Sequence, residues 1–297
     1  MLGTRPGMLL ITLGVAHGLA DGAAGWLLGQ TLVHHSSATL ALGILLYNGL
    51  AFGGQPLVGI WVDRHRCAPL ATRTALGLLA LALLMPDPIM PSPLVAIALA
   101  GLGSAGFHPG AGAIASRLAA GRATALGVFT APGIVGLSLG TALGWMDWPL
   151  ALPLAIALVG LAVALAALGN GVVGATSGAT SVEPSSPSVG GDESRPHQRW
   201  REGLLLGLLG AIALRSALWV LIQVIHQQNT LALVTLGIAA AIGKGIGGYG
   251  SDRLGSRRWL GAALVGAILC LPWPWLPLQA VGVALLQSTV PLAWQAV

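Results

Sequence analysis

Asp21 and Arg215 each stand in the middle of a long apolar stretch, where a charge has few ways to survive. Asp21 lies 13 residues past Met8 and Arg215 12 residues past Gly203, roughly 20 and 18 Å along a helix. A charge facing lipid at that depth costs about 2.5–3.5 kcal/mol, so each must face a wet cavity, a partner or the other. His17 precedes Asp21 by one helical turn, and Trp219 and Gln223 continue the face of Arg215. The pattern suits a substrate or proton site with Asp21 as the acid and Arg215 as its counter-charge. A structural ion pair clamping two helices is the alternative.

Other polar residues are less specific. Lys244 lies six residues before Gly250, close enough for its stem to snorkel to the membrane surface, although it is also a cavity candidate. Asn48 and Gln55 share one helical face and would line a cavity or hydrogen-bond a neighbouring helix. His108 precedes Pro109, whose kink frees backbone groups; it is either a cavity residue or a lone histidine satisfied in the core. No metal centre is expected. His34 and His35 have no Cys, Asp or Glu close by in sequence, and Cys67 and Cys270 are far apart. No cofactor is expected either. Gly101-Leu-Gly103-Ser-Ala-Gly106 and Gly243-Lys-Gly245-Ile-Gly247-Gly248 match a dinucleotide fingerprint literally, but they sit inside apolar helices with no preceding strand. They read as packing faces, like the ridge Gly136, Gly140, Gly144.

The elements that position these residues follow from composition. Of 297 residues 55% are hydrophobic and only 8% charged, with a mean hydropathy of +0.82, whereas a soluble domain carries about 25% charged residues. A soluble enzyme or nucleic-acid module is excluded, and the fold class is an all-α polytopic membrane protein. Ten apolar stretches approach the length of a bilayer crossing: about 8–32, 39–62, 68–85, 92–116, 123–146, 149–169, 203–226, 230–250, 258–273 and 276–296. Strands are a poor reading because the alternation of a membrane barrel is absent. His17 and Asp21 interrupt what would otherwise resemble a signal peptide.

The net charge of +5 does not imply nucleic acid. Apart from Arg215 and Lys244, the Lys and Arg residues fall in alternate connections, among them Arg64, Arg66, Arg117, Arg122, Arg253, Arg257 and Arg258. By the positive-inside rule these connections, both termini and the long central loop are cytoplasmic in an inner membrane. Residues 170–201, rich in Gly, Ser, Thr and Pro, read as a flexible linker between a six-helix bundle at 1–169 and a four-helix bundle at 202–297.

The two halves repeat. Gly59-Ile-Trp-Val-Asp63-Arg64 follows the second stretch, and Gly248-Tyr-Gly-Ser-Asp252-Arg253-Leu-Gly255-Ser-Arg257-Arg258 follows the eighth. Asp21 pairs with Arg215, and Pro109 with Pro291, at a similar offset. Duplicated halves of this kind are a transporter feature. The segment GGYGSDRLGSRR resembles the loop motif of the major facilitator superfamily, and GIWVDRHR a degenerate copy of it. AHGLAD and GLGSAGFHPGAGAIASRLAAGR are similar to the fosmidomycin-resistance type of efflux protein. Drug/proton antiporters of the superfamily carry a Gly/Pro signature on helix 5; Pro132 is kept here, but Ala131 stands where glycine is expected.

The resemblance implies alternating access, export of a small organic molecule against proton influx, a monomer, and a gating role for Asp63 and Asp252. It also implies twelve helices, so two further apolar segments are expected beyond Val297. The alternatives are a ten-helix exporter of five plus five helices, a membrane-embedded enzyme using His17, His34, His35 or His108, and a truncated remnant without transport. The first would divide after the fifth helix, not the sixth, and the histidines needed by the second are scattered in sequence.

Reporters fused at His34, Asp87 and Gln228 should read external, and at Arg66, Ser186 and Gly255 cytoplasmic. A cytoplasmic reading at Gln228 would overturn the two-bundle arrangement.

Overall fold

The computed structural model describes residues 4–85, 93–176 and 229–295, together with 218, 219, 222, 225 and 226. Arg215, Gln223 and most of the 170–201 stretch lie outside them. The described elements are α1 (Thr4–His34), α2 (Ser37–His65), α3 (Ala68–Leu83), α4 (Leu94–Ala119), α5 (Ala123–Trp145), α6 (Ala151–Thr176), α7 (Thr230–Leu254), α8 (Ser256–Cys270), α9 (Leu276–Gln287) and α10 (Val290–Gln295). No strand occurs among the described residues. Six of these helices are long and apolar enough to cross a bilayer. The protein is an all-α polytopic bundle.

Local chemistry fixes the helix ends. The Ser36 hydroxyl accepts the Thr39 N–H at the start of α2, and the Asn229 side chain accepts the Ala232 N–H at the start of α7. Arg66, in the left-handed region with φ 52°, closes α2 by donating its N–H to the Asp63 carbonyl. Gly255, with φ 84°, separates α7 from α8.

Two expected boundaries differ. The sixth helix runs to Thr176, into the stretch assigned to the linker. Gly169, Asn170 and Gly171 read as a stop, but each costs a helix only about 1 kcal/mol or less, and Val172 and Val173 continue the apolar run. The tenth stretch is not one continuous helix. It breaks at Ser288 and Thr289, and Pro291 sits in the first turn of α10, where its missing N–H is harmless.

Lipid is as apolar as leucine, so burial of large side chains does not hold such helices together; close packing does. The most extensive contact is between α1 and α5. A side chain on Gly136 would collide with the Gly18 carbonyl, one on Gly140 with that of Gly22, and one on Gly144 with that of Trp26. The same device recurs between α4 and α3, where Gly103 and Gly110 meet Leu79 and Thr72. It recurs between α7 and α9 at Gly243 and Ala284. Phe107, Phe129, Leu13, Leu76 and Leu79 fill the centre, while Leu45, Leu57, Ile60 and Val163 point outward. The two glycine-rich fingerprint matches are thus helix-packing faces: Gly101 abuts Leu50, and Gly247 abuts the Ser288 carbonyl.

Gly140→Leu should lower the thermal midpoint in detergent, at a cost of roughly 1–3 kcal/mol or more. Gly160→Leu, on an open face of α6, should leave it nearly unchanged. Equal midpoints for the two variants would show that the α1–α5 seam is not what holds the bundle.

Candidate functional site

His17, Asp21 and His108 meet between α1 and α4. His17 Nε2 lies 3.3 Å from Asp21 Oδ2, and His108 Nε2 lies 3.5 Å from Asp21 Oδ1. Helical spacing alone sets the first contact, because residues four apart share a face. The second requires α4 to cross α1 at the right height. The three side chains are 6, 14 and 15% exposed, in the order His17, Asp21, His108. His17 is enclosed by Phe107 and Phe129, with ring centroids 5.8 and 4.8 Å away.

The other nitrogen of each imidazole decides what faces Asp21. His17 Nδ1 lies 3.0 Å from the Phe129 carbonyl oxygen, and His108 Nδ1 lies 2.9 Å from that of Ser104. A carbonyl oxygen only accepts, so both Nδ1 atoms carry the proton. In their neutral forms both rings therefore turn an Nε2 lone pair toward a carboxylate that also has only lone pairs to offer. Each contact becomes attractive when a proton or another cation is shared between its two sides.

Pro132 lies inside α5, and within the turn before it the carbonyls of Phe129 and Thr130 accept from His17 and from Lys244, whose Nζ lies 3.1 Å from Thr130 O. Gly133 then leaves the space that the cluster occupies. A Cβ there would lie 2.5 Å from His17 Nε2 and 2.7 Å from Asp21 Oδ2.

Several expectations change. Lys244 does not snorkel to the surface; it is buried and donates to the Thr130 carbonyl. His108 is not a lone core histidine, and His17 and His108 are not scattered, since their centroids are 4.9 Å apart. Asp21 takes histidines as partners. Arg215, its expected counter-charge, lies outside the described residues. Asn48 donates to the Ile44 carbonyl of its own helix. Gln55 Nε2, Thr130 Oγ1, Ser138 Oγ and Trp219 Nε1 are buried without hydrogen-bond partners among the described residues. Tyr47 and Ser104 escaped the sequence reading: the Tyr47 hydroxyl donates to Ser104 Oγ, which lies 3.2 Å from His108 Nδ1. Only the i, i+4 spacing of Ser104 and His108 could have signalled them.

The repeated loop motif behaves differently in its two copies. Asp252 reaches across to α5 and accepts the Ala123 and Thr124 N–H groups at 2.8 and 2.9 Å and the Thr124 hydroxyl at 2.6 Å. It caps a helix N-terminus, where a negative charge is favoured. Gly248 makes this approach possible by packing on the Ala123 carbonyl. Arg253 instead lies over the Tyr249 ring, and Arg257 and Arg258 are exposed. Asp63 and Arg64 are exposed at the end of α2, and Gly59 faces Pro109.

At the opposite end Asp147 falls beside His34, a neighbour hidden by their distance in sequence. His34 Nε2 and Gln30 Nε2 each lie 3.0 Å from Asp147 Oδ1. The hydrogen bonds from His34 and Gln30 hold this carboxyl below the usual carboxylate range. Trp26, Gln30, Asp147 and Trp148 line a recess of about 500 Å³ at this end.

Residues 8–295 match the family model described as Major Facilitator Superfamily. No curated protein matches the chain.

Removing the Asp252 carboxylate should expose the first turn of α5. Asp252→Ala should cost about 0.5–2 kcal/mol and raise amide hydrogen exchange at Ala123 and Thr124. Unchanged exchange there would rule out the cap.

Proposed function

The chain belongs to the Major Facilitator Superfamily, and on that premise we propose that it is a proton-coupled exporter of a small organic molecule, working by alternating access. The His17–Asp21–His108 cluster carries this reading. A carboxylate in the middle of α1 faces two imidazoles whose lone pairs can share its proton, and Lys244 approaches from the other half. A group that alternates between holding a proton and holding a cationic partner is what coupling requires.

Asp21 takes up the proton, and its release restores attraction to a positive partner. Lys244 is one such partner, and Arg215, at matching depth on the seventh stretch, is the other. Proton uptake frees them to hold an anionic group of the substrate. Gln55, Thr130, Ser138 and Trp219 offer buried polar atoms along the path. Asp252, capping α5 from α7, latches the basic end in this conformation, and breaking that cap accompanies the switch. Asp63 has the equivalent task in the first half.

The protein acts as a monomer in the cytoplasmic membrane, its two bundles joined by the region that follows Thr176, up to about residue 201, on the cytoplasmic side. Within the superfamily we place it with the fosmidomycin-resistance type of efflux proteins, on the AHGLAD and FHPGAGA segments that carry the cluster.

A screen for compounds to which the chain confers resistance would supply a substrate for proteoliposomes. Asp21→Asn should then abolish accumulation driven by a proton gradient while leaving exchange at equal concentrations partly intact. Arg215→Ala should weaken substrate binding. Uphill transport by Asp21→Asn at the normal rate would make Asp21 a structural residue and overturn the mechanism.

A further inference from the structure

We propose that His17, Asp21 and His108 form a binding site for a divalent transition-metal ion of the zinc, cobalt and nickel class. The inference rests on the donor set and not on proton coupling. Two imidazole nitrogens and one carboxylate oxygen lie within 4.8 Å of one another. Donors about 2.1 Å from a common ion stand roughly 3.4 Å apart in a tetrahedron. Asp21 meets each ring near that spacing through a different oxygen, Oδ2 at 3.3 Å from His17 and Oδ1 at 3.5 Å from His108. A set with one carboxylate oxygen spans up to 4.8 Å, so the side chains close slightly around an ion.

Orientation favours metal as strongly as distance does. A histidine that binds metal through one nitrogen usually donates its other N–H to a carbonyl or carboxylate, which fixes the tautomer and strengthens the ligand. His17 and His108 both do so, to Phe129 and Ser104. Tyr47 adds a further hydrogen bond to the Ser104 hydroxyl. Two histidines and one carboxylate suit zinc, cobalt, nickel and ferrous iron and leave positions open for water or a small ligand. Gly133 keeps the side facing α5 clear, where a Cβ would press against both His17 Nε2 and Asp21 Oδ2.

Charge sets the limit. A divalent ion on one carboxylate leaves the site net positive, and the Lys244 ammonium is held at the Thr130 carbonyl, one residue from the carbonyl that anchors His17. Lys244 therefore weakens the site, and its removal tightens it.

The test uses the full chain, free of any histidine tag, in lipid nanodiscs. Calorimetry with Zn²⁺ should show one ion per chain at the cluster, and Co²⁺ at the same site should give visible ligand-field bands that Zn²⁺ abolishes. His108→Gln and Asp21→Asn should each weaken Zn²⁺ binding by about tenfold or more. Lys244→Gln should strengthen it, and His34→Gln with His35→Gln should leave it unchanged. X-ray absorption of the unmodified, zinc-loaded chain should report two imidazole nitrogens and an oxygen, whatever the folding of the variants. Failure of the unmodified chain to bind Zn²⁺ stoichiometrically, or binding unaltered by both cluster variants, would overturn the proposal. Proton-driven transport that depends on Asp21 in a chain that binds no Zn²⁺ would defeat the metal assignment and leave coupling standing.

Discussion

Contact between the α1 and α5 backbones is the constraint on which the rest depends. Lipid gives no hydrophobic reward for bringing two apolar helices together, so they must approach closely enough for dispersion and polar contacts to outweigh contact with acyl chains. Gly18 and Gly22 on α1 and Gly136 and Gly140 on α5 remove the side chains that would keep the backbones apart. That proximity brings the α5 carbonyls within reach of His17. It also brings Gly133 over Asp21 and places Gln30 and His34 against Asp147 at one end.

A buried carboxylate is tolerable only in an arrangement that satisfies it. Here the partners come from one turn away on the same helix and from a second helix, and each partner is itself anchored to a backbone carbonyl. Pro132 stands within one turn of the α5 carbonyls on which His17 and Lys244 are held.

The repeated loop motif gives the two halves unequal roles in this conformation. Asp252 is fixed to the first turn of α5 by three hydrogen bonds, while Asp63 stands exposed on the same kind of helix end. Similar local chemistry therefore yields different interactions according to what lies opposite it. That asymmetry is what a two-state element needs in order to have a preferred side.

The sequence by itself determined the all-α membrane class of the protein and most of the described helices, because both follow from a local quantity, apolar run length. The His17–Asp21 pair was visible too, because one helical turn joins them. Tertiary structure decided the rest. Whether His108 joined that pair or sat alone depended on where α4 crosses α1. Lys244 could snorkel or turn inward, and the carbonyl of Thr130 on another helix settled it. Asp147 and His34 lie at helix ends far apart in sequence, and the ridge on α5 acquired meaning only when α1 presented matching glycines. Periodicity reports which face of a helix is polar or small; it does not report which face lies opposite. That choice is set by how several helices pack at once.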